Sequence, residues 1–135
     1  MATWDSNIPA AQAALREGRE LGLIAAAQVV INQVKRGLRG GYTSGDFVTG
    51  NSINHVTRGP VEYDAGEAFI RVGTSVLYNL YWELGHHNLF SGRYERRPIW
   101  LPSLLDTRAA QQRAYAAQIK AALAKLRPLP AGPKA

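Results

Sequence analysis

The chain has 135 residues, enough for one domain with its own core, and 46% of them are hydrophobic. It has no cysteine, which excludes a disulfide framework, a thiolate metal site and a cysteine nucleophile, and fits a protein made and used in a reducing cytoplasm. The formal net charge of +6 comes from 12 Arg and only 4 Lys, a bias toward bidentate pairing with carboxylate or phosphate.

Taken in chain order, the pattern predicts an α+β domain: a long N-terminal helix, a small antiparallel sheet, a short middle helix and a C-terminal helix. The first helix is expected from about Pro9 to Leu38. Asp5, Ser6 and Asn7 offer N-cap side chains and Pro9 suits a first turn. Leu23, Ala27, Val30, Val34 and Leu38 form one apolar stripe, and Gly40-Gly41 stops the helix. Gly18 and Gly22 weaken its middle and mark a bend or a close approach of another backbone. Its most apolar part, Leu21 to Val34, is too short and too polar to span a bilayer. Met1 to Asp5 lacks the basic start and apolar run of a signal peptide.

Residues 40–73 read as turns and short strands. Ser52 to Thr57 is a weak strand candidate, and Gly59-Pro60 reads as a turn. Asp64-Ala65-Gly66 reads as a hairpin turn between Val61-Glu62-Tyr63 and Glu67 to Val72, where Ala68, Ile70 and Val72 alternate with Glu67, Phe69 and Arg71. A short helix is expected from Ser75 to Leu84, capped by Thr74 and ended by Gly85. A loop rich in charge and aromatics follows, from His86 to Pro98. The last helix is expected from Ser103 to Leu126, with Ser103 and Asp106 as a capping box and a stripe of Leu105, Ala109, Gln112, Ile119, Ala122 and Leu126. Residues 1–127 make the domain; residues 128–135 form a Pro-rich tail expected to be extended and mobile.

Three constellations could carry chemistry. Glu83, His86 and His87 have spacings that could share a metal on a helix, but Gly85 would end the helix between them, and no second ligand cluster accompanies them. No metal or other cofactor is expected; the plainer reading pairs Glu83 with Arg96 or Arg97. Arg93-Tyr94-Glu95-Arg96-Arg97 could grip phosphate, but suits an acidic patch on a neighbouring subunit better. The aromatics Tyr78, Tyr81, Trp82, Phe90, Tyr94 and Trp100 could stack bases, but at this spacing favour packing and interface anchoring. There is no phosphate loop and no nucleophile with motif partners, so an enzyme is not expected. The alternatives kept open are a basic nucleic-acid-binding module and, behind it, a metal-dependent hydrolase.

Four segments in order resemble a phage family: Thr49-Gly50-Asn51-Ser52-Ile53, Val72-Gly73-Thr74, Tyr78…Tyr81-Trp82-Glu83-Leu84-Gly85 and Arg97-Pro98-Ile99-Trp100-Leu101-Pro102. The resemblance, over roughly residues 20–126, is to the minor tail and tail-completion family named after the tenth gene product of a lambdoid phage. The spacing after Thr49-Gly50 is shorter than usual there, and His86 stands where a small residue or Thr is common. The resemblance implies a structural virion protein of the neck, the head–tail connection or the tail end. Its partners would be copies of itself in a ring and adjacent connector or tail proteins, with packaged DNA in the channel. Glu83, His86, His87, Arg93, Tyr94, Arg96, Arg97 and Trp100 are the candidate assembly residues.

Overall fold

A computed structural model describes residues 2–39, 54–75, 83–87, 92–96 and 98–126. Helix α1 spans Ala2–Arg39 and is followed by strands β1, Thr57–Asp64, and β2, Glu67–Gly73. Two-residue strands β3, His86–His87, and β4, Tyr94–Glu95, come next, then helices α2, Trp100–Asp106, and α3, Arg108–Ala124. The strands form two antiparallel pairs, β1 with β2 and β3 with β4, so the architecture is the expected α+β arrangement.

The stripe on α1 organises the core. Val34 and Leu38 are fully enclosed, and Ala27, Val30 and Ile31 are buried beside them. Val56 closes this cluster from the segment before β1, and Val72, Ile99 and Trp100 pack against its edge. The helix begins earlier than expected: Asp5, Ser6 and Asn7 lie within it, not at its cap, and Pro9 sits inside it. Pro9 has no N–H to give the preceding turn, so this end of α1 holds one backbone bond fewer. The helix ends at Arg39, immediately before Gly40.

The expected hairpin forms, with Val61 opposite Ile70, but Asp64, expected in the turn, pairs with Glu67 as the last residue of β1. Ala65 and Gly66, at φ 50° and 82°, make its two-residue turn. This is the left-handed pair that a tight hairpin needs. Gly59-Pro60 is not a turn. It lies inside β1, where the register shifts between Arg58 and Val61 as a bulge, a place where a strand tolerates a missing N–H. The strand candidate Ser52 to Thr57 is also displaced: Asn54 and His55 are not extended, and β1 starts at Thr57.

The C-terminal helix differs most from expectation. It is two helices broken at Thr107, whose backbone (φ −97°, ψ 9°) ends α2 and begins α3. Thr107 Oγ1 donates to the Ser103 carbonyl, and Gln111 Nε2 bonds both Thr107 Oγ1 and the Leu104 carbonyl, which ties the two helices together at the break. Ser103 is therefore buried in α2, with its N–H on the Ile99 carbonyl, and forms no capping box with Asp106. The break also shifts the phase of the stripe. Leu105, Ala109 and Gln112 are exposed, while Ala114, Tyr115, Gln118 and Ile119 turn inward and Ala122 is buried.

Helix α3 packs along α1 through two glycines. A Cβ on Gly18 would lie 3.0 Å from Ala122 Cβ and 3.1 Å from Ile119 Cα; one on Gly22 would lie 2.6 Å from the Tyr115 ring. The expected close approach is thus real, and only glycine lets the helices meet this closely. The middle helix expected over Ser75 to Leu84 lies mostly outside the described residues; of its positions, Ser75 is a bend and not helical, while Glu83 and Leu84 are helical. The Thr49-Gly50 segment, Arg97 and the Pro-rich tail also lie outside them.

Candidate assembly site

The segment after Glu83 and Leu84 folds back on these two residues. Gly85 turns the chain at φ +95°. The Tyr94 ring occupies the place where a side chain on Gly85 would stand, and Tyr94 Oη donates to the Leu84 carbonyl at 2.6 Å. The chain between them is zipped by β3 and β4, with His86 opposite Glu95 and His87 opposite Tyr94. The stretch expected to be loop from His86 to Pro98 therefore contains a short ladder.

Glu83 is the centre of the site. Its Oε2 accepts the N–H groups of Ile99 at 2.7 Å and Trp100 at 3.0 Å, and its Oε1 accepts that of Leu101 at 2.7 Å. These N–H groups open α2, where helix geometry leaves them without intrahelical partners and the dipole favours a negative charge. Ile99 makes no side-chain cap of its own, so a carboxylate 16 positions earlier in the chain does that work. This corrects the expected pairing of the Glu83 carboxylate with Arg96. Arg96 Nε instead donates to the Glu83 backbone carbonyl at 2.9 Å. The alternative partner, Arg97, lies outside the described residues.

Of the expected site residues, Glu83, Tyr94, Arg96 and Trp100 are brought together. His86 and His87 are placed by their backbone in β3, and Arg93 is exposed beside β4. Among the described residues no three metal-ligating side chains converge. No described helix is long and apolar enough to cross a membrane.

Beside Glu83 lies an apolar groove of about 450 Å³, walled by Val30 of α1, Ile70 and Val72 of β2, and Trp100, Leu101 and Leu104 of α2. Leu101, Leu104 and Leu105 are about half exposed on this helix, and Leu84 is 63% exposed nearby. Trp100 Nε1 is buried with no hydrogen-bond partner among the described residues. Sequence reasoning did not find the groove, since it arises where three separate elements meet.

A second polar cluster pins the hairpin to α1. Tyr63 Oη donates to Glu20 Oε1 at 2.5 Å, and Arg16 Nε reaches the same oxygen at 3.4 Å while its guanidinium lies 5.5 Å from the Tyr63 ring centre. The Tyr63 hydroxyl, and then Arg16, holds the Glu20 carboxyl below its ordinary range. Donation to Glu20 pushes the Tyr63 hydroxyl up. Across the strands, Arg71 pairs with Glu62 at 3.3 Å and lies over Phe69.

The arrangement offers anchored backbone, apolar surface and positive charge. No protein-family model, no curated protein and no solved structure matches the chain.

Proposed function

We propose that this chain is a structural subunit of a tailed-phage virion, made in the bacterial cytoplasm. It would act at the neck, the head–tail connection or the tail end and assemble as a ring with adjacent connector or tail proteins. The observation that carries the reading is the bond between two of the segments on which the phage resemblance rests. Glu83 of the Glu-Leu-Gly segment holds the N–H groups of Ile99, Trp100 and Leu101 in the Arg-Pro-Ile-Trp-Leu segment. A shared hydrogen-bonded unit gives a physical reason for both segments to occur together at this spacing. The α+β order of elements supports the same reading, as do the half-exposed leucines of α2, which suit protein contact.

The nucleic-acid alternative draws on the net charge of +6. It is the weaker reading because the basic cluster is partly spent internally: Arg96 on the Glu83 carbonyl and Tyr94 on the Leu84 carbonyl. Mass spectrometry of gradient-purified particles tests the main reading. The chain should be present in the particles; its absence from infectious particles would remove the reading. A DNA titration with affinity falling steeply with salt would favour the alternative.

A further inference from the structure

We propose that strand β2 docks edge to edge on β2 of a second copy, about a two-fold axis at Phe69, to make a four-stranded antiparallel sheet. This goes beyond the ring reading and does not rest on it. A two-fold contact closes on itself, so it pairs chains and leaves the heterologous contacts of a ring to other surfaces.

The hairpin's backbone supplies the docking edge. The two-residue turn at Ala65-Gly66 makes Asp64 and Glu67 a hydrogen-bonded pair, and such pairs alternate along an antiparallel ladder. Glu62 with Phe69 is the next bonded pair, so the N–H and C=O groups of Ala68 and Ile70 point away from β1. Among the described residues β1 is the sole strand partner of β2, and no hydrogen bond reaches those outer groups. The two edges of the hairpin are not equivalent. The β1 edge carries Pro60 and the bulge between Arg58 and Val61, features that oppose strand pairing. The β2 edge is regular over Glu67–Gly73 and has no proline.

Charge selects the occupant and its register. Tyr63, opposite Ala68, bonds Glu20 of α1, and Val72 packs on the core, so Glu67, Phe69 and Arg71 share the face turned away from α1. On that face Glu67 stands directly opposite Asp64, two like charges, and neither carboxylate has an ion-pair partner among the described residues. Arg71 pairs with Glu62, yet its side chain stays 75% exposed. Docking must set the outward groups of Ala68 and Ile70 against their counterparts, so allowed registers step by two residues. The register centred on Phe69 sets Glu67 of each copy opposite Arg71 of the other. A step either way sets Glu67 opposite Phe69 or Gly73 instead. The centred register gives the Asp64 and Glu67 carboxylates the cation they lack. It also lays one Phe69 against the other in a non-hydrogen-bonded pair, where side chains come closest. The β1 edge offers Glu67 a cation only at Arg58, beyond the bulge.

Glu67→Arg and Arg71→Glu are made in separate full-length chains, with circular dichroism confirming the fold. In sedimentation velocity the wild-type chain should dimerise with concentration. Each variant alone should dimerise about tenfold or more weakly, since each sets like charges face to face at both sites. An equimolar mixture of the two should recover a heterodimer, because both sites then join opposite charges, and damage to the fold could not produce that recovery. The chain has no cysteine. Phe69→Cys should therefore oxidise to a disulfide homodimer, while Glu62→Cys, one strand further from the axis, should not. A wild-type chain that stays monomeric at every concentration, or a mixture that recovers nothing, would overturn the proposal. So would a Phe69→Cys chain that cross-links to an Asp64→Cys chain and not to itself, the result of head-to-tail pairing of β2 with β1.

Discussion

Removing the Glu83 carboxylate is the most informative single perturbation. In Glu83→Ala, three N–H groups at the start of α2 lose their acceptor, two of them in part-buried bonds from Ile99 and Trp100. An ordinary N-cap substitution costs about 0.5–2 kcal/mol, and an orphaned, partly buried donor costs about 1–3 kcal/mol. Loss of the charge at the helix N-terminus adds about 0.3–1 kcal/mol. Water can reach the Leu101 N–H, so these do not simply add, and the expected loss is about 2–4 kcal/mol. Glu83→Gln keeps one acceptor oxygen but turns an NH₂ toward a donor, and should lose about 1–2 kcal/mol. Urea unfolding followed by circular dichroism measures both, because a smaller midpoint at constant slope reports lost stability. A Glu83→Ala variant within about 0.5 kcal/mol of wild type, less than an ordinary cap is worth, would refute the capping account.

Three further outcomes follow from the same structure. Gly22→Ala gains about 1 kcal/mol of helix propensity but drives a Cβ to 2.6 Å from the Tyr115 ring. Overpacking costs about 1–3 kcal/mol, so it should destabilise the wild type yet become neutral or stabilising in a Tyr115→Ala background, as a urea double-mutant cycle would read. Gly85→Ala meets both the φ of +95° and the Tyr94 ring, and should cost more than about 2 kcal/mol, whereas Tyr94→Phe, which loses the hydroxyl that bonds the Leu84 carbonyl, should cost about 1 kcal/mol. The Glu20 carboxyl is held low, so its contribution is present above the ordinary carboxylate range and lost as pH falls through its folded value. The Tyr63 hydroxyl is held high, so its contribution is present below the ordinary phenol range and lost as pH rises through its folded value. The melting temperature of Tyr63→Phe should therefore show a flatter pH dependence than wild type at both extremes.

Periodicity made much of this fold legible. The α1 stripe depends on local spacing alone, and Val30, Val34 and Leu38 are buried where that spacing puts them. The hairpin was equally readable, because Ala65-Gly66 can supply the left-handed turn between two apolar alternations. The Gly59-Pro60 bulge was misread as a turn, since both features use the same residues and only the partner strand tells them apart. The break at Thr107 was hidden because Ser103 and Asp106 imitate a capping box, while the acceptor that caps α2 lies at Glu83. A cap reaching across 16 positions leaves no local signal. For the same reason the candidate site was found by its residues but not by their bonds: Arg96 does approach Glu83, but at its backbone carbonyl.

The central claim is that this chain joins parts of a virion, and deleting its gene from the genome that encodes it, with negative-stain imaging of the lysate, tests that most directly. The account predicts filled heads accumulating apart from tails, or tails of wrong length or unable to join, with infectivity restored when the chain is supplied in trans. Normal, infectious particles from the deletion would contradict it.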